Sequence, residues 1–397
     1  MKYVIVRCED AAAGNDQTAS LLDSAKTAYL QELAQAGAAG RLSQGADHTP
    51  LDRFQLHRLL FGLDAQDPAA AAGQCYAASG NLQLAPEETA WCCEFVAQRD
   101  GVLIDPSAGR ITTKESRILI QTLDDRLGSE TRRWEVGSGA HHVLVTSEPA
   151  FKAERFPPLK GPDLLVNQVW ERHLPKGEAG ETLRTVIEPA STLLDSHPVN
   201  RVRIDLGENP ANMVWLWGPA DAGPQQAFKE RTGLSGVVCS NSFLLRGFAR
   251  SLSLDWAEGP ASFEEGALQR LMETLRRALD RHDFAYVHVS IDSPDPVQRL
   301  CAMERLDRIV FKSLTELLSS LGPWRLSAVV DDRASAHVPF IAIGTGIPQQ
   351  PIARLDANRF AESPLAFDSG AGWFSWFINT AVGVMRDAPA HLGEPPG

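Results

Sequence analysis

Three apolar segments of the chain each lead directly into acidic residues, and this feature constrains the fold most. The segments are residues 3–6, 285–291 and 326–330, and the acids that follow them are Glu9, Asp10, Asp292, Asp295, Asp331 and Asp332. In an open parallel sheet the carboxyl ends of the strands form one edge, and ligands bind in the crevice outside it. The pattern therefore predicts carboxylates from distant parts of the chain at one edge. A metal site that does chemistry usually adds imidazoles and a nucleophile, of which these turns offer almost none.

Composition excludes several classes of function. The 397 residues exceed what one compact core usually holds, which predicts two domains. A formal net charge of -12 argues against nucleic acid or an anionic membrane as a partner. The amino terminus does not resemble a signal peptide and no apolar stretch approaches the ~20 residues of a membrane span, so we expect a cytoplasmic protein. The six cysteines lack a CxxC pair, which predicts reduced, mostly buried thiols.

Hydrophobic periodicity indicates an α/β pattern in the outer parts of the chain and a different order of elements between them. We expect a helix over about residues 20–36, a surface loop or short helix in the alanine-rich stretch 68–73, and α/β alternation after residue 236. Between them the order is strand 90–98, helix from Thr112 or Thr113, paired strands over 133–146, helix 181–194 and strand 213–217. This is the ferredoxin-like split βαβ arrangement. We therefore predict an inserted cap domain at 88–218, within a core formed by 1–87 and 219–397.

The stretch from residue 200 to 247 carries the most specific motifs. It reads NRVRIDLGENPANMVWLWGPADAGPQQAFKERTGLSGVVCSNSFLLRG, with the spacing NxxR, PANxxWLWG, FKERxGLxG and LLxG. In these motifs the chain resembles the archaeal-type 2,3-bisphosphoglycerate-independent phosphoglycerate mutases. Further matches are the opening KYVIV, DGVLIDPSAGRITTKES at 100–116, SPD at 293–295 and RFAES at 359–363. The resemblance implies an alkaline-phosphatase-like core, with a parallel or mixed sheet flanked by helices, and an inserted cap.

Membership of that family would imply two divalent metals, a serine that is phosphorylated during turnover, and phosphoryl transfer between the two hydroxyls of phosphoglycerate. The matching positions depart from this pattern. Glu9-Asp10 replaces an Asp-Gly pair, Arg53 occupies the serine position, and Arg299 and Arg333 occupy two histidine positions. Ala140-His141 replaces a Tyr-Arg pair, which removes a phosphate-contacting arginine, and Leu159 replaces a further histidine. Arginine beside a retained acid can take the place of a metal, so we expect Arg299 and Arg333 to pair with Asp295, Asp332 or Glu9.

Two functions follow from these departures. The first is a diverged homologue that has lost two-metal transfer, a pseudoenzyme with no catalytic residue assigned, which binds a small phosphorylated or carboxylate ligand or a protein partner. Arg201, Arg203 and Arg299 are its candidate ligand contacts. The second is a metal-dependent phosphomutase or phosphohydrolase with one metal (Mn, Mg or Zn). Its candidate ligands are Glu9, Asp295, Asp332 and His337, and its activity would be a glycolytic isomerase or a phosphohydrolase.

Other conspicuous residues have structural explanations. Acids at strand ends commonly cap helices, and Cys8 without a neighbouring histidine is typical of a small buried residue. His141 and His142 are adjacent on a predicted strand and so face opposite sides, which favours one core and one surface histidine. Trp215 and Trp217 share a strand face and are expected to pack in the core. The aromatic segment 373–378 either docks on the body, as we expect, or forms an oligomer contact.

Overall fold

The computed structural model describes residues 1–9, 24–43, 53–64, 67, 69–223, 225–291, 293, 295–330 and 337–379. The strands are β1 (Lys2–Glu9), β2 (Ala38–Ser43), β3 (Thr89–Arg99), β4 (Val102–Asp105), β5 (Arg132–Ser138), β6 (His141–Thr146), β7 (Gln168–Val169), β8 (Met213–Asp221), β9 (Gly236–Ser240), β10 (Asp255–Glu258), β11 (Phe284–Ser290), β12 (Trp324–Val330), β13 (His337–Gly344) and β14 (Ala366–Phe367). The predicted acids Asp10, Asp292, Asp331 and Asp332 lie outside the described residues, as does Arg333.

The helices of the described residues follow most strands of both sheets. They are α1 (Ala28–Ala36), α2 (Arg53–Leu60), α3 (Ala72–Ser79), α4 (Thr113–Leu127), α5 (Glu178–Asp195), α6 (Pro198–Asp205), α7 (Phe228–Thr232), α8 (Phe243–Ser251), α9 (Glu265–Arg281), α10 (Pro296–Arg305), α11 (Lys312–Ser320), α12 (Ala357–Ala361) and α13 (Gly370–Asn379). A π-helix, Leu306–Phe311, joins α10 to α11. None of the helices in the described ranges is long and apolar enough to cross a bilayer.

The larger sheet confirms the predicted mixed α/β core. Among the described residues it has eight strands in the order β10-β9-β11-β1-β12-β13-β2-β14, and the first five are parallel. The central strand β1 is almost wholly buried because β11 and β12 flank it and helices cover the sheet. Glu9 lies opposite Ser290 of β11, and Cys8 lies opposite Val330 of β12. The ends of the three strands that precede the acids are therefore adjacent, as the sequence predicts.

The smaller sheet confirms the ferredoxin-like arrangement. Strands β8, β3, β6 and β5 are neighbours in that order and all pair antiparallel, with α4 and α5 as the two connecting helices. Helix α4 begins as predicted: Thr112 accepts a hydrogen bond from the Glu115 amide, and the Glu115 side chain returns to the Thr112 amide. All strands of this sheet lie between Thr89 and Asp221. The domain boundaries at 88 and 218 stay a prediction.

The alanine-rich stretch 68–73 was expected at the surface, and this expectation is wrong. Ala70 and Ala72 are buried, and helix α3 packs against β3 and α8. A Cβ on Gly73 would lie 2.1 Å from the Ala90 carbonyl oxygen, and one on Gly247 would lie 1.7 Å from that of Cys75. Small residues are therefore required here because the backbones of three elements approach closely.

Two helical segments beside the larger sheet are irregular. The helix predicted over about residues 20–36 is interrupted between Ser24 and Ala28, with residues 20–23 outside the described part of the chain, and the helical segment 296–320 contains the π-helix. The two segments are linked, because the buried Asp307 of the π-helix accepts hydrogen bonds from the Tyr29 and Leu30 amides, at 3.1 and 2.7 Å. A carboxylate from a distant segment thus caps the start of α1.

The aromatic segment 373–378 docks on the body, as expected. Trp373, Phe374 and Phe377 of α13 are buried. The Tyr3 hydroxyl donates to the Ile378 carbonyl at 3.0 Å, and Arg325 donates to the Phe377 carbonyl at 2.7 Å. An additional role of this segment in oligomer formation stays a prediction.

Candidate ligand and metal site

A cavity of about 410 Å³ lies between the carboxyl edge of the larger sheet and the smaller sheet. Its polar lining comes from both sides: the larger sheet and its helices contribute Glu9, His57, Ser240 and His288, and the opposite side contributes Tyr76, Glu94, His141, Asp163 and Trp217. No lysine or arginine is among the described residues that line it. Such an enclosed pocket with a few convergent polar groups is the usual form of a small-molecule site.

The first polar cluster, the core wall, consists of Arg7, Glu9, His57 and His288. Arg7 and Glu9 lie two residues apart on β1, so they face the same side of the sheet, and Arg7 lies opposite His288 of β11. All four side chains are buried. One Glu9 carboxylate oxygen lies 2.9 Å from His288 Nε2 and 3.4 Å from Arg7 Nη2. The core wall therefore pairs a buried carboxylate with a permanent cation.

Hydrogen bonds fix the two imidazoles of the core wall. His288 Nδ1 lies 2.9 Å from the Ser240 hydroxyl, and His57 Nδ1 lies 2.7 Å from the Tyr286 hydroxyl. Arg7 Nη1 lies 2.8 Å from His57 Nε2 and 2.9 Å from Nδ1. A guanidinium only donates hydrogen bonds, so Arg7 can act only as the donor in its contact with the His57 ring.

The second polar cluster, the cap wall, consists of Tyr76, Glu94, His141 and Trp217. Buried Glu94 accepts hydrogen bonds from the Tyr76 hydroxyl and from Trp217 Nε1 at 3.0 Å. His141 Nδ1 lies 3.6 Å from Glu94 Oε1 and 3.1 Å from the Tyr76 oxygen, and 45% of the His141 side chain is exposed. The cap wall thus presents a partly exposed imidazole that a buried carboxylate holds in place.

Electrostatics keeps Glu94 ionised although it is buried. Burial alone would raise the pKa of Glu94, but the charge of His141 and hydrogen bonds from His141, Tyr76 and Trp217 outweigh it, and the pKa lies below its usual range. Burial and the neighbouring Glu94 carboxylate raise the pKa of Tyr76 well above its usual value. Tyr76 therefore stays a protonated donor at neutral pH.

Glu9, His57 and His288 are a candidate metal-binding triad. Their donor atoms all lie within 4.8 Å of one another, and two imidazoles with one carboxylate suit Zn²⁺ or Mn²⁺. Arg7 opposes this use. An ion bonded to His57 at about 2.1 Å would lie within about 5 Å of Arg7 Nη1, where repulsion is on the order of 7 kcal/mol at an effective dielectric constant near 20. The donor types fit a divalent ion, but their arrangement with Arg7 does not.

The described structure places the predicted metal ligands in different elements. Glu9 lines the pocket, whereas Asp295 caps α10 by accepting a hydrogen bond from the Val297 amide at 2.9 Å. His337 is the first residue of β13, opposite Ser43 of β2, and is not among the described residues that line the cavity. Asp332 lies outside the described residues.

The predicted ligand-binding arginines also lie apart from the pocket lining. Arg201 is exposed on α6. Arg203 is buried and pairs with Glu115 at 2.9 Å and Glu208 at 3.0 Å, which ties α6 to α4. Arg299 is buried in α10, four residues after Asp295. Arg53 is the first residue of α2.

Several structural interpretations of single residues are confirmed. His142 is fully buried, and burial followed by the charge of His141 lowers the pKa of His142 to about 3, whereas His141 is partly exposed. Cys8 is buried on β1. Trp215 and Trp217 are both buried, and Trp217 has the additional position at the pocket wall described above.

Sequence reasoning missed Arg7, His57 and His288 of the core wall and Tyr76 and Glu94 of the cap wall. One signal was available for Arg7, because a charged residue inside an otherwise apolar strand and two positions from Glu9 must share its face. A similar signal marks His288, which is a polar residue inside the apolar strand β11. The other three have no such signal, since only the folded arrangement of α2, α3 and β3 places them together.

The fold and the polar edge of its larger sheet define the class of protein first: an alkaline-phosphatase-like α/β core combined with a ferredoxin-like unit. Solved structures agree with this fold. The PH0037 protein from Pyrococcus horikoshii superposes with a TM-score of 0.67 at 17% identity, covering 97% of this chain and 99% of that one. The cofactor-independent phosphoglycerate mutase from Thermoplasma acidophilum gives a TM-score of 0.57 at 21% identity, covering 96% and 100%.

Sequence comparison finds similarity to one family of proteins. A family model described as 2,3-bisphosphoglycerate-independent phosphoglycerate mutase matches residues 34–200. The mutase of that name from Methanosarcina mazei is 29% identical over 79% of this chain and 80% of its own length. A probable one from Geobacter sulfurreducens is 28% identical over 88% and 92%. The expected resemblance to the 2,3-bisphosphoglycerate-independent phosphoglycerate mutases is confirmed.

Proposed function

We propose that the protein binds a small phosphorylated or carboxylate ligand in the cavity between the two sheets and does not carry out two-metal phosphoryl transfer. The observation that supports this most is the Arg7 guanidinium, which lies 2.8 Å from His57 and 3.4 Å from Glu9. Two of the three candidate metal ligands are therefore engaged by a cation of the protein itself. The polar groups that converge on the cavity from both sides support it as the place of binding.

His141 is the proposed ligand contact. It is the lining imidazole with a partly exposed side chain, and its Nδ1 lies 3.6 Å from Glu94 Oε1. The hydroxyls of Ser242 and Ser290 on the opposite side offer further hydrogen bonds to a polar ligand. An imidazole N–H together with hydroxyl groups suits a single carboxylate or phosphate group.

Two measurements test this proposal. An enolase-coupled mutase assay should give no turnover above the protein-free background. Titration calorimetry with 3-phosphoglycerate and with glycerate should show saturable binding that His141→Ala weakens at least about tenfold, equivalent to roughly 1.4 kcal/mol. The control His173→Ala removes a histidine that does not line the cavity and should bind like the wild type. Mutase turnover, or binding of neither ligand, would contradict the proposal.

A one-metal phosphomutase or phosphohydrolase is the second candidate, and the spacing of Glu9, His57 and His288 within 4.8 Å favours it. Elemental analysis of protein purified without chelators separates the two functions. We expect substoichiometric Mn, Mg and Zn. One equivalent of metal per chain, with phosphatase activity that EDTA abolishes, would favour the second candidate instead. A protein partner, the absence of nucleic acid and membrane partners, and a cytoplasmic location also stay predictions.

A further inference from the structure

Arg7 occupies an unusual position for an arginine. It lies in the middle strand of the larger sheet, where its neighbours Val6 and Cys8 are fully buried, and the exposed fraction of Arg7 is 1%. An arginine is almost never fully buried unless it is paired, because transfer of an isolated charge out of water is costly. The groups that face Arg7 should therefore explain its presence.

The described contacts of Arg7 are with the candidate metal donors. Nη1 lies within 2.9 Å of both ring nitrogens of His57, and Nη2 lies 3.4 Å from Glu9 Oε2. The same Glu9 oxygen lies 2.9 Å from His288 Nε2. One terminal nitrogen of Arg7 thus contacts His57, and the other contacts Glu9. The Glu9 oxygen that Arg7 contacts also lies beside His288, the third donor residue. His57 and Glu9 are two of the three residues whose donor atoms a metal would use.

We propose that Arg7 is a built-in cation that replaces a divalent metal among Glu9, His57 and His288, and that a neutral side chain at position 7 converts these residues into a metal site. This inference rests on the proposed function in one respect: both require that the wild-type triad holds no metal. It goes further by assigning the role of the metal to a named side chain. It also identifies a latent site that the wild-type protein does not use.

The donor set defines the class of metal. Two imidazole nitrogens and one carboxylate oxygen match the three-ligand zinc sites that leave a fourth position open, whereas Mg²⁺ prefers oxygen ligands alone. The expected ion is therefore Zn²⁺, with Mg²⁺ as the discriminating comparison. His288 is already oriented for such a role, because the Ser240 hydroxyl holds its Nδ1 and directs Nε2 toward Glu9.

The test is a Zn²⁺ titration of metal-free full-length protein by calorimetry. The wild type should bind no Zn²⁺ at this site, whereas Arg7→Met, which keeps an unbranched side chain without the charge, should bind one equivalent. The double variant Arg7→Met/His288→Ala should lose that equivalent. Mg²⁺ should not replace Zn²⁺. Arg201→Met is the matched control, because it removes an exposed arginine, and it should behave as the wild type.

Thermal unfolding supplies a second readout that does not depend on activity. Zn²⁺ at about 1,000 times its Kd should raise the Tm of Arg7→Met and leave the Tm of the wild type and of Arg7→Lys unchanged. If Arg7→Met is unfolded without metal, recovery of its circular dichroism by Zn²⁺ supports the proposal. Failure to fold with or without Zn²⁺ overturns it, because the metal then does not substitute for the cation.

Three further outcomes separate this inference from the proposed function. A folded Arg7→Met that binds no Zn²⁺ overturns the inference alone. One equivalent of Zn²⁺ bound to the wild type, and lost in His288→Ala, overturns the inference and removes the main support for the proposed function. Mutase turnover without metal at the triad would contradict only the proposed function.

Discussion

The core wall and the cap wall of the pocket use the same pair of side chains in different ways. Each has a buried glutamate beside a histidine, Glu9 with His288 at 2.9 Å and Glu94 with His141 at 3.6 Å. On the core wall a guanidinium supplies the compensating charge. On the cap wall neutral donors from tyrosine and tryptophan do so, together with a histidine that is 45% exposed.

This difference separates a fixed charge from an adjustable one. The charge of Arg7 does not change at any ordinary pH, so the core wall keeps one state. His141 can gain or lose a proton and has room to meet a ligand. Any response of the protein to ligand or pH should therefore arise on the cap wall, while the core wall behaves as a structural ion pair.

The largest expected effect is on the core wall. Arg7→Met removes the guanidinium that lies 3.4 Å from the buried Glu9 carboxylate, so we expect a loss of about 3–5 kcal/mol of unfolding free energy in metal-free buffer. The double variant Arg7→Met/Glu9→Gln should lose much less than the sum of the two single changes. Urea denaturation of the four proteins measures this coupling. Additive losses would show that the two side chains do not act as a pair.

A smaller loss is expected for Glu94→Gln. The amide keeps the shape but replaces charged hydrogen bonds from Tyr76 and Trp217 with neutral ones, which should cost about 1.5–3 kcal/mol. The control Glu171→Gln removes a carboxylate that is 53% exposed and lies 3.6 Å from Arg184, and it should change stability by less than about 1 kcal/mol. Equal effects of the two changes would mean that Glu94 is solvated.

Loss of the core-wall histidine should likewise destabilise the protein more than loss of the cap-wall histidine. His288 is buried between Ser240 and Glu9, so His288→Ala removes two contacts from the interior, whereas His141→Ala removes a partly exposed ring. We expect His288→Ala to cost about 1–2 kcal/mol more than His141→Ala in denaturant unfolding. The reverse order would place the structural histidine on the cap wall and break the comparison.

The smallest expected effect concerns the acid dependence of stability. The pKa of Glu94 is lower in the folded protein than its ordinary value of 4.5. Its contribution to stability is therefore complete above about pH 5 and is lost as the pH falls through the folded pKa. Glu94→Gln should reduce the slope of unfolding free energy against pH below pH 4.5, and should leave it unchanged between pH 6 and 8. An unchanged slope in acid would show that Glu94 does not titrate with folding.

The sequence predicted the fold well because the fold depends on local patterns. The apolar strands, the capping box at Thr112 and the βαββαβ order are all set by spacing within short segments. The candidate site depends instead on contacts between distant residues. His57 and His288 are 231 positions apart and converge only through the packing of α2 on β11.

The arginines illustrate the same limit. The sequence suggested a cation in place of a metal and pointed to Arg299 and Arg333, whose pairing stays a prediction because Arg333 and Asp332 lie outside the described residues; it did not point to Arg7, which lies 3.4 Å from Glu9. Alternation along β1 was sufficient to place Arg7 on the face of Glu9. The partners of Arg203 were not predictable in this way, because Glu115 is 88 positions distant and belongs to another helix.

The order of the strands has a consequence for synthesis of the protein. The smaller sheet is built from one continuous stretch, Thr89–Asp221, so it can fold while the rest of the chain is still being made. Strand β1 is made before its partners β11 and β12, which follow more than 270 residues later, and Tyr3 bonds to Ile378, 375 positions further on. The apolar strand KYVIV is therefore unpaired until those strands have been made. A ribosome that stalls before residue 330 would release a chain with a finished cap sheet and an unpaired, aggregation-prone first strand.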